Sequence, residues 1–463
     1  MVIRRIYIIG CIIFVLGWQY IFANDTTDIV QGGNARMLAL GGSPVNYYLL
    51  DYTNIFINPA YLKRFRNLVL IEGGSGFGNG SEYQAQNQQL GATFQFNENY
   101  FGFVIGKREG PMFAENSYGY QSGGSFIACD YMKSALDSYL QNLFIQAASE
   151  PLTPIQALGA FSLGEGIFGF SLYYSRWSRT DDGTGTVSLG KTCSVSLAQY
   201  GIKAGVLYGL NPLTKLDIAG CLRFNTASAD YSNKDMSAPL QKSSFTANGY
   251  EMSATGRAFY ELQPNLSLVP IARIEVFFYD PEVTSTPLSN FLLPLPNSYS
   301  KWECEAGIGI QSKWERGIAV CGISIQYIAL KNDAVNNVGS IAQTTKYNRT
   351  WIDLPKINAG FEFSITSWLI GRAGFTKRIS TQYTTIEAPA TPPTESVISL
   401  EPGFIPSFGL SPTDQTLSLG LGLIVNQFIF NAYLADQTLG TGSYLLSGIQ
   451  QNLFGVISMS YQY

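Results

Sequence analysis

The sequence predicts an all-β transmembrane barrel of the outer-membrane type, and three observations carry that expectation. Charged residues make up 13% of the 463-residue chain, about half their share in an average soluble domain. After residue 23, however, no run of about 18 apolar, uncharged residues could cross a bilayer as a helix. Polarity instead alternates residue by residue through many long segments, and the connections between them are short and long in turn, which is the pattern of a membrane barrel.

The alternation is cleanest from Trp302 to Ser312, where Trp302, Cys304, Ala306, Ile308 and Ile310 share one parity and Glu303, Glu305, Gly307, Gly309 and Gln311 the other. Successive side chains of a strand point to opposite sides, so one face suits lipid and the other water. The split recurs at Leu417, Leu419, Leu421, Leu423 and Val425 against Ser418, Gly420 and Gly422. It recurs again at Tyr250, Met252, Ala254, Ala258 and Tyr260 against Glu251, Ser253, Thr255 and Arg257. A soluble sandwich also alternates, so length decides: soluble strands run about 5–6 residues, whereas most of these segments reach the length a tilted membrane strand needs.

Sixteen strands are expected, at about 68–75, 88–96, 100–107, 155–163, 166–176, 193–210, 214–226, 248–262, 265–279, 300–314, 317–331, 349–366, 368–385, 414–426, 427–436 and 450–463. Tight connections such as Asn97-Glu98-Asn99, Gly164-Glu165-Gly166, Gln263-Pro264-Asn265 and Thr366-Ser367-Trp368 alternate with long ones at 108–154, 177–192, 227–247, 280–299, 332–348 and 386–413. At the C-terminus, Leu453, Gly455, Ile457, Met459, Tyr461 and Tyr463 share a face opposite Ser458, Ser460 and Gln462. An aromatic last residue on such a strand resembles the signal by which barrel-assembly machinery takes up its substrates.

The other end of the chain reads as an address. Met1-Val-Ile-Arg-Arg is a short basic start, Ile6 to Phe22 is apolar, and Ala23 is a small residue at a cleavage point, together a secretory signal peptide. Ile8-Ile9-Gly10-Cys11 also fits a lipoprotein cleavage box, though with only a short apolar stretch before it. The division expected is therefore a signal peptide at 1–23, an N-terminal hatch or plug at 24–66 and a barrel at 67–463, in the outer membrane of a Gram-negative-type bacterium. The five cysteines after residue 23 have no C-x-x-C spacing and the chain has no histidine, so they read as strand thiols with room for one disulfide rather than as a zinc site.

Lys215, Asp217, Arg223, Glu251, Arg257, Arg273, Glu275, Glu303, Glu305, Lys356, Glu362 and Arg372 all fall on the watery parity of their strands. Charges inside a membrane protein face one another or water. Their expected role is to cross-link a plug and the barrel wall, with direct ligand binding as the alternative. The mixture of signs does not suggest a one-sign selectivity ring.

Residues 34 to 62 do not alternate. Gly41-Gly42 permits close backbone approach, and Asn58-Pro59 makes a turn that a strand interior would not accept. The segment therefore reads either as a plug in the lumen or as a strand and turn outside it. The pattern Ala35-Arg36-x-x-x-x-Gly41-Gly42, then Asp51, then Asn58-Pro59-Ala60 resembles the FadL-like barrels, which include fatty-acid transporters and PorV-type proteins. The resemblance implies a 14-stranded barrel with a lumenal hatch, and places Asn58, Pro59 and Ala60 at the hatch turn near a bound ligand. The family usually has Gly after the Ala, where this chain has Tyr61.

Within the connection 108–154, a helix is expected from Asp130 to Ala148, with Asp130 as its cap. Tyr131, Leu136, Tyr139, Leu140, Leu143, Phe144 and Ala147 follow helical spacing on one apolar face. Leu136, Tyr139, Leu140, Leu143 and Phe144 are candidates for ligand capture at an extracellular loop, the alternative being a helix packed on neighbouring loops. Two further motifs read as loop: Gly73 to Gly80 lacks the Lys-Ser/Thr of a phosphate loop, and Asp181-Asp182-Gly183 lacks the later ligands of a calcium loop.

Three functions compete. Transport of hydrophobic, fatty-acid-like molecules through a plugged barrel fits best, with outer-membrane lipid, an apolar small molecule and the assembly machinery as partners. A PorV-type scaffold or shuttle for secreted cargo, partnered by secretion-system subunits, fits the same resemblance. An enzyme is least favoured, because the absence of histidine removes the usual base of barrel hydrolases. No residue pattern calls for a cofactor, and a net charge of −4 without a basic block argues against nucleic acid as a partner.

Overall fold

A computed structural model describes residues 32–41, 46–73, 89–107, 153–181, 191–211, 213–234, 240–287, 298–338, 341–388, 391–400, 415–434 and 454–463. The strands are β1 (Leu68–Gly73), β2 (Gln89–Phe96), β3 (Asn99–Ile105), β4 (Thr153–Leu163), β5 (Gly166–Asp181), β6 (Lys191–Asn211), β7 (Thr214–Asn233), β8 (Leu240–Gln263) and β9 (Leu266–Pro287). They continue with β10 (Ser298–Trp314), β11 (Gly317–Val338), β12 (Ile341–Ser364), β13 (Leu369–Ala388), β14 (Thr391–Leu400), β15 (Gln415–Val425), β16 (Phe428–Leu434) and β17 (Phe454–Gln462).

The strands form one closed antiparallel barrel of sixteen. Leu68 of β1 faces Thr93 of β2 on one side and Gln462 of β17 on the other, which shuts the ring. The seventeenth strand, β14, lies outside the count. β13 pairs with β15 over Leu369 to Lys377 and with β14 over Ser380 to Ala388, so β14 prolongs the line of β15 along the same edge. The fourteen strands implied by the family resemblance are not met; sixteen, as counted from the alternation, is the number in the ring.

Short turns follow from residues that tolerate a left-handed backbone. Asn97 and Asn426 have φ of 55° and 56°, and Gly164 has φ of 57°. Each opens a two-residue connection between paired strand ends, where a tight hairpin needs positive φ.

Three of the long connections carry more strand than the sequence indicates. β11 and β12 remain paired up to Val338↔Ile341, and β7 and β8 up to Ser232↔Lys242. β13 and β14 likewise stay paired up to Ala388↔Thr391. The expected loops at 332–348 and 227–247 are therefore largely β-ribbon, and residues 391–400 of the connection 386–413 are strand as well. The sequence reading ends each strand where its apolar face ends, but a backbone ladder needs no lipid, and Thr344, Thr345, Tyr347 and Thr350 suit a strand regardless of burial.

Outward positions carry the apolar belt. Ile274, Ile308, Ile323, Ile325 and Leu421 are all exposed at their outer faces. Opposite parities are buried, including Glu251, Glu303, Glu362 and Arg372. Lys215 shares that parity but is exposed, because it lies one residue into β7 from its tight turn. The helix expected at Asp130 to Ala148, the residues 74–80 and the pair Asp182-Gly183 lie outside the described residues. Among those described, no helix is long and apolar enough to cross a membrane.

Candidate functional site

Residues 32–67 meet all sixteen strands of the ring, which only a chain inside it can do. Helix α1 (Gly33–Ala39) touches β13, β15, β16 and β17, and a 3₁₀ turn (Pro59–Lys63) touches β3 to β6. Asn34 bonds to Glu72 on β1, Thr93 of β2 to the Phe65 carbonyl, and Asn58 to Asp217 on β7. Tyr47 meets Arg257 and Arg273 on β8 and β9, Tyr48 lies over Gly309 and Gly322 on β10 and β11, and Arg36 reaches Glu362 on β12.

Asp51 organises the start of α1. Its carboxylate accepts from Gly32 N at 2.8 Å, Gly33 N at 3.0 Å and Thr53 N at 3.1 Å. Arg36 then pairs with Asp51 at 2.9 Å and with Glu362 at 2.8 Å, and Arg372 holds the same Glu362 at 2.5 Å. Burial alone would push Arg36 down, but the Glu362 and Asp51 carboxylates hold its guanidinium above the usual range. Glu72 accepts from Asn34 N at 2.8 Å, Asn34 Nδ2 at 2.5 Å and Tyr52 OH at 2.6 Å. Burial and the Glu72 charge push the Tyr52 phenol well up, so it stays a donor.

Past α1 the backbone runs against the wall. Gly41 has φ of 71° and donates to Ser418 Oγ at 3.1 Å, and a Cβ on Gly374 would run into the Gly41 and Leu40 backbone. Glycine at both positions is what permits the approach.

The turn at Asn58 is held from several sides. Asn58 Nδ2 donates to Asp217 Oδ1 at 2.6 Å while its Oδ1 accepts from Ala60 N at 3.0 Å, capping the 3₁₀ turn that Pro59 begins. Tyr61, where the resembled family has Gly, donates from its hydroxyl to Asp217 Oδ2 at 3.0 Å. Arg257 completes the group by bonding Asp217 and lying 5.4 Å from the Tyr61 ring centroid. Gly169 and Gly205 make the room, since a Cβ on either would strike Ala60 or Asn58. Asn58, Pro59 and Ala60 are thus all buried, and the Asn58 amide is engaged by protein.

The lumen wall is uneven. From β7 to β12 it is an ion-pair ladder: Arg223 with Glu251, Arg273 with Glu303 at 2.6 Å, Lys301 with Glu303 at 2.5 Å and with Glu275 at 3.4 Å, and Lys356 with Glu305 at 3.5 Å. From β15 round to β5 it carries Glu72 on β1 among neutral groups such as Ser418, Asn431, Ser458, Thr93 and Ser171. Two apolar patches interrupt it. Tyr52, Ile55, Phe56, Leu62 and Phe65 pack on Leu70, Val104 and Leu158, and Met37, Leu40, Tyr48 and Leu49 pack near Phe259, Val269, Ile271 and Val320. Among the described residues no cluster of Cys, Asp and Glu could hold a metal ion.

The sequence-derived residues divide in two. Asn58, Pro59 and Ala60 come together with the wall, whereas Leu136, Tyr139, Leu140, Leu143 and Phe144 lie outside the described residues. Glu72 is the contact that sequence reasoning missed. The signal was present, because Glu72 shares the inward face of β1 with Leu68 and Leu70 while Ile71 is exposed.

No family model matches the chain, and no curated protein is similar to it. Among solved structures, it is similar to the toluene transporter TodX of Pseudomonas putida at 10% identity and TM-score 0.36, over 94% of this chain and 99% of that one. It is similar to the CymD monoaromatic hydrocarbon channel at 10% identity and TM-score 0.34, over 95% and 99% of the two chains. The transport unit of the autotransporter AIDA-I from Escherichia coli gives 10% identity and TM-score 0.31, over 72% and 99%. At these scores the similarity decides neither family nor cargo.

Proposed function

We propose that this protein is an outer-membrane channel for hydrophobic small molecules, in which residues 24–66 act as a hatch. The supporting observation is the inner segment itself. It touches every strand of the ring, yet two of its wall anchors are charge-balanced without it: Glu362 keeps Arg372 and Asp217 keeps Arg257 when the segment is displaced. Arg36 keeps Asp51 in the same event. Displacement therefore leaves none of these charges alone, which eases opening in a low-dielectric interior, while Glu72 gives up its bonds from Asn34 and Tyr52.

An apolar cargo is supported by the apolar patches on the inner segment and by the resemblance of residues 34–62 to FadL-like barrels. Leu136, Tyr139, Leu140, Leu143 and Phe144 serve as its capture surface, and the turn Asn58-Pro59-Ala60 as the point it must pass. Residues 1–23 direct export and are removed near Ala23.

The test is uptake of an apolar fluorescent probe into proteoliposomes. Wild type exceeds empty liposomes, and Leu140→Ser with Phe144→Ser slows uptake without preventing assembly. No uptake by wild type, together with stable copurification of secreted protein, contradicts transport and favours a scaffold.

A further inference from the structure

Between Gly41 and Leu50 the inner segment is fastened differently from its two flanks. Gly41 N donates to Ser418 Oγ on β15 at 3.1 Å, and the Leu50 carbonyl accepts from Arg36 Nη1 at 3.3 Å. Upstream, Asn34 and Arg36 bond to the buried carboxylates of Glu72, Asp51 and Glu362. Downstream, Asn58 and Tyr61 share the carboxylate of Asp217. Moving either flank strips bonds from a buried carboxylate, which is unfavourable.

Residues 46–50, Asn-Tyr-Tyr-Leu-Leu, carry no charge. Arg257 Nη1 donates to the Tyr47 carbonyl at 3.2 Å and Arg273 Nη1 to the Tyr47 hydroxyl at 3.0 Å. Both arginines hold wall carboxylates as well, Arg257 pairing with Asp217 and Arg273 with Glu303 at 2.6 Å and Glu305 at 3.6 Å. Departure of this stretch therefore leaves neither arginine unpaired. The bonds that shape it, Leu49 N to the Asn46 carbonyl at 3.2 Å and Tyr48 N to Asn46 Oδ1 at 3.1 Å, are internal and travel with it.

Tyr48 occupies the dividing position on the wall. Its ring lies on the bare backbone of Gly309 and Gly322, a cross-strand pair of β10 and β11. Its hydroxyl is buried with no hydrogen-bond partner among the described residues, so lifting the ring breaks no side-chain hydrogen bond. By register, Glu305 and Ser324 lie on the loop side of that glycine pair. On its tight-turn side the wall turns apolar, with Phe259, Val269, Ile271 and Val320 packed in one cluster with Tyr47 and Tyr48. What holds the stretch down is thus largely apolar contact, since Tyr47, Tyr48 and Leu49 are all buried. The closed state persists until an apolar solute takes their place on the same patch.

We infer that residues 46–50 are the moving part of the hatch. They swing off β8 to β11 as a strap held at Gly41 and Leu50, and the departure of the Tyr48 ring opens the way from the ion-pair ladder to the apolar patch. Helix α1 and the turn at Asn58 stay seated. This rests on the hatch reading, and it narrows the opening from the whole inner segment to one uncharged stretch.

The experiment locks each part to the wall in turn and measures uptake of the apolar fluorescent probe by proteoliposomes holding the mature chain. A Cβ on Gly309 would lie 2.7 Å from Tyr48 Cγ, and one on Gly205 would lie 2.6 Å from Asn58 Cγ. The pairs Tyr48→Cys with Gly309→Cys and Asn58→Cys with Gly205→Cys therefore bring two Cβ atoms within disulfide reach. Each variant is compared with itself, oxidised and reduced, and wild type is carried through the same treatment to account for the native cysteines. Oxidation is expected to lower uptake about tenfold or more for the Tyr48 pair, reversibly, and to change it by less than about twofold for the Asn58 pair. Loss of uptake on locking Asn58 as well overturns the inference in favour of whole-segment displacement and leaves the hatch reading standing. Undiminished uptake with Tyr48 locked also overturns it, and no uptake by wild type removes both. Hydrogen exchange on the unsubstituted chain gives a second test that needs no variant to fold. The amides of Tyr48 and Leu49 are expected to exchange at least about tenfold faster than those of Leu40 and Asn58, which bond to Arg36 and Asn54 within the flanks. Equal or slower exchange at Tyr48 and Leu49 overturns the inference.

Discussion

Arg36, on the helix inside the barrel, clasps Glu362 of β12 through two parallel bonds, Nε to Oε2 at 2.8 Å and Nη2 to Oε1 at 2.9 Å. Both side chains are almost completely buried, and a fork-to-fork pair of this kind fixes orientation as well as distance. It sets the angle at which α1 meets the wall.

Arg36→Met is expected to loosen the inner segment while the barrel stays folded. Breaking one side of a buried pair typically costs about 3–5 kcal/mol, and here Glu362 retains Arg372. Amide hydrogen exchange at residues 33–39 should accelerate by at least about a hundredfold, while strand amides of β10 to β13 keep their protection. Unchanged exchange at α1 would show that the pair does not anchor it.

Two glycines on inner and open ground should respond differently. Gly169→Ala places a Cβ against the Pro59 and Ala60 backbone, whereas one on Gly256 meets nothing within 4 Å. Overpacking of this sort costs about 1–3 kcal/mol. The temperature at which an unboiled sample loses its folded mobility on a denaturing gel should fall for Gly169→Ala and stay near wild type for Gly256→Ala. Equal shifts would place the turn at Asn58 away from β5.

The lipid belt can be tested by depth. Ile308 lies mid-strand on the outer face of β10, and Tyr463 ends the chain beside the tight turns. Ile308→Arg should destabilise the barrel in urea titrations from lipid vesicles by about 2–4 kcal/mol, against about 0–1 kcal/mol for Tyr463→Arg. Comparable costs at both positions would contradict the assignment of the belt.

The strands were legible because membrane and lumen impose opposite polarity on alternate residues, so Trp302, Glu303, Cys304 and Glu305 each declare a side. The ribbons above the belt were not legible, since residues such as Asn332 and Tyr347, paired across β11 and β12, sit where neither face must be apolar. Parity shows that Glu362 and Glu72 point inward, but not that the first meets Arg36 and the second meets Asn34 and Tyr52. Those partners depend on how residues 32–65 are folded across the ring, and no local pattern encodes that path. Tyr61 shows the same limit, for it reads as a departure from a motif until Asp217 is seen beside it.

The central claim is that the N-terminal segment occupies the lumen and governs passage through it. Single-channel conductance in planar bilayers tests this most directly, comparing the mature chain with a refolded variant lacking residues 24–63. The expected result is a small or intermittent conductance for the complete chain and a large, steady one for the deletion. Equal conductance from two correctly refolded barrels would contradict the claim.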